Sequence, residues 1–263
     1  SLVSELLSFD HTFTILEENN DGIDVHQSEF VTESIDGKRQ TTSSSVIQRV
    51  VDKVHTPITS LAFAHLPFAV RARSDHSFNI RVKTGSGDDK VNIRETLHNA
   101  DSRIRIETRA GNDTVLIDDE ATLEGIDSTI EVDTGTGTQD VLTILDAIDT
   151  SNGNNGTLTQ NTLVGLGIQN TNHVWYDNVE SLNLELGSGN DVLTVESTHA
   201  HQTSIKSNAG NDTTHIQTIS GATRVETGAG DDLTRVQSIT NTLNSIAAQL
   251  TIDGGTENHT DHL

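Results

Sequence analysis

Leu182-Asn183-Leu184-Glu185-Leu186-Gly187-Ser188-Gly189-Asn190-Asp191-Val192-Leu193-Thr194-Val195 is the stretch whose reading decides the fold. It is an alternating strand, a tight glycine turn ending in Asn-Asp, and a second alternating strand. The phrase recurs around TGSGDD between Ile80 and Ile93, TRAGND between Ile104 and Ile117, and TGTGTQD between Ile130 and Ile144. It returns around SNAGND from Thr203 to Ile216 and TGAGDD from Thr223 to Val236, and it begins once more at Ala248. A chain that repeats one strand-turn-strand phrase at short intervals reads first as a stacked repeat.

Aligning the copies on the second turn glycine (Gly87, Gly111, Gly137, Gly189, Gly210, Gly230, Gly255) tests the repeat column by column. Five residues earlier stand Val82, Ile106, Val132, Leu184, Ile205, Val225 and Leu250, aliphatic in every copy. Residues two apart share one face of a strand, so each arm sends one aliphatic row inward. One phrase cannot bury such a row alone; parallel stacking turns the rows into ladders. The glycines are 24, 26, 52, 21, 20 and 25 residues apart, and the gap of 52 reads as two coils, one without its glycine turn. A βαβ unit needs about 30 residues or more. The expected fold is therefore all-β, a parallel β-helix or solenoid of roughly 20–26 residues per coil over residues 80–263.

Residues 1–79 are less regular and are expected to be a cap or degenerate coils, since an open end exposes unpaired backbone. His11 to Glu17 and Phe30 to Ile35 alternate like strands. Val46, Ile47, Val50, Val51 and Val54 have helical spacing before Pro57, which leaves a short helix and an irregular coil as alternatives. Leu61 to Val70, the most apolar stretch, is expected to pack on the first regular coil. Residues 145–180 interrupt the pattern with Ser151-Asn152-Gly153-Asn154-Asn155-Gly156 and read as one coil with a long loop. That stretch holds the only tryptophan and tyrosine, Trp175 and Tyr176, either a binding patch or packing beneath the loop.

Composition narrows the partners. A formal net charge of -23 argues against nucleic acid and anionic membrane, and favours cations. With no cysteine there is neither a disulfide nor a thiolate metal site. No apolar run approaches the ~20 residues of a membrane helix. A start at Ser1-Leu2 without methionine, and a coil opened at Leu250 and cut off at Leu263, lead us to expect excision from a longer chain. Sequons at Asn112, Asn155, Asn211 and Asn258 would carry sugars in a eukaryotic secretory setting. The histidines are scattered, and the pair His199/His201 reads as solvated.

The turns are the candidate site. Asp89, Asp113, Asp140, Asp191, Asp212 and Asp232 end them, with Asp88 and Asp231 beside two of them. Stacked coils place equivalent residues ~4.8 Å apart, where ionised aspartates repel unless something offsets them. Calcium, which takes six to eight oxygens in loose geometry, would do so. The alternative is that each side chain bonds its own turn's amides in contact with water.

Gly85-Ser86-Gly87-Asp88-Asp89, Gly187-Ser188-Gly189-Asn190-Asp191 and Gly228-Ala229-Gly230-Asp231-Asp232 resemble the turns of haemolysin-type, repeat-in-toxin calcium-binding proteins. That resemblance implies Ca2+ held by the eight aspartates named above. The longer phrase YDNVESLNLELGSGNDVLTV, preceded by GTLTQNTLVGLG, is similar to repeats of very large secreted surface proteins of bacteria and algae. It covers about residues 80–263 and implies an extracellular, cell-surface structural or adhesive segment. Its partners would be neighbouring repeats of the same chain or filament, and glycans. The competing expectation is a polysaccharide lyase or epimerase, which needs basic groups beside carboxylates; Lys83, Lys90, Arg105 and Arg109 form the one basic cluster. The motif set otherwise points away from an enzyme: G-x-S-x-G, H-E-x-x-H and the P-loop are all missing.

Overall fold

The computed structural model describes the backbone of strands between residues 11 and 80. It describes residues 81–84, 87–93, 96, 103–118, 121–169, 171–238, 243–255 and 261–262 with their side chains. Among the described residues there are strands and no helix, arranged in two mostly parallel sheets. Sheet A runs β1 (His11–Leu16), β6 (Phe78–Lys83), β8 (Arg103–Glu107), β10 (Thr129–Asp133), β14 (Val174–Asp177), β13 (Thr162–Gly165), β12 (Asn155–Leu158), β16 (Val192–Val195), β18 (Thr213–Ile216), β20 (Leu233–Val236). Sheet B runs β21 (Leu250–Asp253), β19 (Thr223–Glu226), β17 (Gln202–Lys206), β15 (Ser181–Glu185), β11 (Val141–Leu145), β9 (Thr114–Ile117), β7 (Lys90–Ile93), β2 (Gly22–Ile35), β3 (Lys38–Val51), β4 (Val54–Pro57), with β5 (Val70–Ala72) on β3.

The alternation read from the sequence sets the two faces of each strand. In sheet A, Val82, Ile106, Val132 and Tyr176 lie in register one behind another, all 1% exposed or less. In sheet B, Ile93, Ile117, Ile144, Leu184, Ile205 and Val225 make the matching row, again buried. These rows are the core. Where neighbouring strands run parallel, evenly spaced ladders bond each strand of one repeat to the repeats before and after it.

The interruption at residues 145–180 is more than a loop. β12, β13 and β14 all lie in sheet A, and β13 is antiparallel to both of its neighbours. This three-strand meander shifts the repeat by half a turn of the chain. Before it, the strand preceding each glycine turn belongs to sheet A and the strand following it to sheet B; after it the assignment is reversed. Leu182 and Leu184 therefore stack on Leu142 and Ile144, the arm following the preceding glycine turn, and not on Ile130 and Val132. The single column drawn across all copies is two columns. Its last member also moves, because Val225 pairs with Ile252 while Leu250 pairs with Thr223.

Residues 46–51 lie in strand β3 and residues 54–57 in β4, so helical spacing there did not make a helix; a long antiparallel pairing of β2 with β3 took those residues. The expected strands at 11–17 and 30–35 fall in β1 and the end of β2. β1 pairs with β6 and β2 with β7, both parallel. Most of Leu61 to Val70, expected against the first coil, lies outside the described residues.

Candidate functional site

The half-turn shift divides the turn aspartates between two edges. Asp89, Asp113 and Asp140 lie on connections from sheet A to sheet B; Asp191, Asp212 and Asp232 lie on connections from B to A. All six are 3% exposed or less, so contact with water, the premise of the turn-only alternative, is corrected. Stacking of one turn on the next accounts for the burial, as the bonds between successive turns show.

Four of the partners also differ from that alternative, since the carboxylates of Asp113, Asp140, Asp212 and Asp232 each reach an amide of a neighbouring repeat. On the first edge Asp89 N–H donates to Asp113 Oδ1 at 2.8 Å, Asp113 N–H to Asp140 Oδ1 at 2.7 Å, and Asp140 N–H to Glu180 Oε2 at 2.9 Å. On the second edge Asp191 N–H donates to Asp212 Oδ1 and Asp212 N–H to Asp232 Oδ1, both at 2.8 Å, and Asp232 N–H to Asp261 Oδ1 at 3.3 Å. The Asp191 carboxylate accepts within its own turn, from Gly187 N–H at 3.2 Å, as that alternative expected. One residue outward a second file runs in the opposite direction. Asn112 N–H donates to Asp88 Oδ1, Asn211 N–H to Asn190 Oδ1, and Asp231 N–H to Asn211 Oδ1, at 2.7–2.9 Å. Asp88 and Asp231 are exposed and belong to this outer file.

The second turn glycine is demanded by contact. At Gly210 (φ 127°) and Gly230 (φ 139°) a Cβ would strike the carbonyl oxygen of the equivalent glycine one repeat earlier. At the first glycine both contact and backbone angle act: a Cβ on Gly135 (φ 79°) or Gly228 (φ 91°) would strike the carbonyl oxygen of Arg109 or Asn208 one repeat earlier, while Arg109 (φ 73°) and Asn208 (φ 67°) themselves hold the left-handed position with a side chain.

Burial dominates the electrostatics. It raises the pKa of Asp113, and it pushes Asp140 and Asp191 up to about 6 and Asp212 up to about 7, with neighbouring carboxylates adding to the rise. The amide hydrogen bonds oppose the rise without cancelling it. One oxygen each of Asp113, Asp140, Asp191 and Asp212 accepts no hydrogen bond. Sequence reasoning missed three further acids. Asp146, buried and pushed up to about 7, accepts Leu123 N–H at 2.9 Å, and Asp149 accepts Ser151 N–H at 2.9 Å. Glu180 closes the first column. None of them follows a glycine turn, which is the one signal the repeat supplied.

These oxygens suit calcium in kind: hard, anionic and partly unpaired. Among the described residues no three carboxylate or imidazole groups gather about one point. An ion on either edge would draw on two successive turns and complete its shell from backbone carbonyls and water.

Of the basic cluster read from the sequence, the structure brings Lys83 and Arg105 together and adds Arg81 and Arg103. Lys90 stands on sheet B and Arg109 in a turn. Tyr176 packs inside, its hydroxyl donating to Thr159 O at 2.7 Å, while Trp175 faces outward, half-buried, between Glu131 and Thr162. His199 is half-buried edge-on to Tyr176, contrary to the solvated reading, and with His201 lines a cavity of about 230 Å³. No family model, characterised protein or solved structure matches the chain.

Proposed function

We propose that this chain is a parallel β-solenoid serving as a structural and adhesive repeat segment of a larger extracellular surface or filament protein, stiffened by calcium at its turns. The observation that carries the reading is where the buried carboxylates spend their hydrogen bonds: on the backbone amides of the adjoining repeats. Groups committed in that way hold repeat to repeat and are poorly placed to act on a substrate. A file of this kind gains one link with each added repeat, as a segment among like segments requires. Asp89, Asp113 and Asp140 on one edge and Asp191, Asp212 and Asp232 on the other would hold the ions, which would offset the repulsion along each column.

Small-angle scattering tests the shape. The expected particle is a rod whose length grows by about 4.8 Å per stacked strand. A compact globular profile rules the solenoid out. Incubation with uronate polymers, followed by ultraviolet absorbance, tests the lyase reading; on the structural reading no unsaturated product accumulates.

A further inference from the structure

We infer that the outward face of β6 and β8, together with Trp175, is a binding surface for an acidic polysaccharide. This deepens the adhesive part of the proposed function by naming a partner class, and it rests on that reading for its biological use.

The chain has 16 Lys and Arg in all against 39 Asp and Glu, yet four of its cations meet on two adjacent strands. Glu107 receives Arg81 Nη2 at 2.5 Å, Lys83 Nζ at 2.9 Å and Arg105 Nε at 2.8 Å, and Glu131 receives Arg103 Nη1 at 2.9 Å. Two carboxylates thus serve four cations. The carboxylates also lie deeper: the Glu107 and Glu131 side chains are 13% and 22% exposed, while Arg81, Arg103 and Arg105 are 37%, 58% and 47% exposed. Each guanidinium carries five N–H donors, more than these ion pairs use, so anion-binding capacity remains at the surface.

The pairing register adds the second half of the site. Arg81, Arg105, Glu131 and Trp175 stand one behind another across β6, β8, β10 and β14. Two strand spacings, about 10 Å, separate the backbones of Arg105 and Trp175. A partly exposed indole offers an apolar face to the C–H face of a sugar ring, and the arginines offer bidentate partners to a carboxylate or sulfate. A row that crosses parallel strands on an open sheet face suits an extended polymer. The net charge of -23 opposes every polyanion, and most of all one as dense as duplex DNA at one phosphate per ~1.7 Å, so a more sparsely charged acidic polymer suits this local patch better.

The test is affinity electrophoresis of the whole chain through gels containing polygalacturonate, a sulfated glycosaminoglycan, neutral dextran or duplex DNA, all in chelator so that calcium cannot bridge two polyanions. Retardation by the acidic polysaccharides alone is expected. The double variant Arg81→Gln/Arg105→Gln should weaken it by at least about tenfold, the worth of a lost charged hydrogen bond, and the single variant Trp175→Ala by about two- to tenfold, the worth of an aromatic contact. Lys90→Gln, on the opposite sheet, should leave it unchanged. Retention of binding by either patch variant overturns the inference, as does equal retardation by dextran or DNA, or none by the acidic polymers. Thermal melts of each variant separate lost binding from lost folding. Scattering reports the rod independently, so the binding surface and the structural reading fail separately.

Discussion

Asp191 N–H donates to Asp212 Oδ1 at 2.8 Å across two successive turns, and the other oxygen of Asp212 accepts nothing. One atom of this carboxylate therefore joins two repeats while its charge sits buried, paired with no cationic side chain among the described residues. The two roles separate by substitution. Asp212→Asn keeps an acceptor and removes the charge, so at pH 8 it should leave stability unchanged or raise it. Asp212→Ala strands the Asp191 amide and should cost about 1–3 kcal/mol, read by urea denaturation. If both variants destabilise equally, the hydrogen bond is not what the side chain contributes.

Asp140, Asp146, Asp191 and Asp212 all titrate above the ordinary value of 3.8 when folded, at about 6 to about 7. Between the ordinary and the raised values the folded chain binds more protons than the unfolded one, so stability falls as pH rises. The stabilisation is complete below about pH 4 and is lost through pH 6 to 7. A tenfold difference in proton affinity between folded and unfolded chain corresponds to about 1.4 kcal/mol, an upper figure for groups that relax or admit water. Melting temperature measured in chelator should drop steadily from pH 5 to pH 8, and less steeply in Asp212→Asn. A rise over that interval would show that the columns are ionised and satisfied.

The turns and the alternating arms were legible in the sequence because period-two patterning and glycine spacing are local. The half-turn shift was not. Both arms of each phrase are aliphatic alternations, so Leu184 looks equally suited to stack on Val132 or on Ile144. Only the pairing of β12, β13 and β14 within one sheet decides between them. The slip from Leu250 to Ile252 has the same origin, since a two-residue slip preserves the buried face. Burial of the aspartates was hidden for another reason: a turn residue counts as surface until a neighbouring turn covers it.

The aliphatic rows should dominate stability. Ile106 lies between Val82 and Val132, and Leu184 between Ile144 and Ile205, each at most 1% exposed. Replacing either with Ala should cost about 2–5 kcal/mol. Losses under about half of one kcal/mol at both, by chemical denaturation, would mean that these side chains do not share a core.

The glycine positions should respond in opposite directions. Gly210→Ala places a methyl group against the Gly189 carbonyl and should prevent a native melt or lower it severely. Arg109→Gly relieves a left-handed residue, worth about 1–2 kcal/mol, against an entropy cost of about 0.5–1 kcal/mol. A small net gain is expected. Calorimetry of both variants checks the pair, and a loss of stability in Arg109→Gly would count against the turn geometry.

Calcium should substitute for the proton. The carboxyl oxygens of Asp140 and Asp212 that accept no hydrogen bond are where a bound proton relieves the columns at low pH. A divalent ion would relieve them at high pH. Its stabilisation should therefore be large at pH 8 and small at pH 5, a dependence that plain screening by salt does not produce. A ligand at 100 times its dissociation constant adds about 2.7 kcal/mol. The strongest site is expected between Asp212 and Asp232, whose turns are 20 residues apart, the shortest interval in the chain. Melting temperatures in chelator, in several equivalents of magnesium and in the same calcium should rank calcium first, because magnesium demands a tighter octahedral shell. Asp212→Asn should remove most of the calcium increment while Asp113→Asn, on the opposite edge, removes less. Equal responses to the two metals, or a calcium increment that does not change between pH 5 and pH 8, would leave the turn aspartates as hydrogen-bonding groups alone.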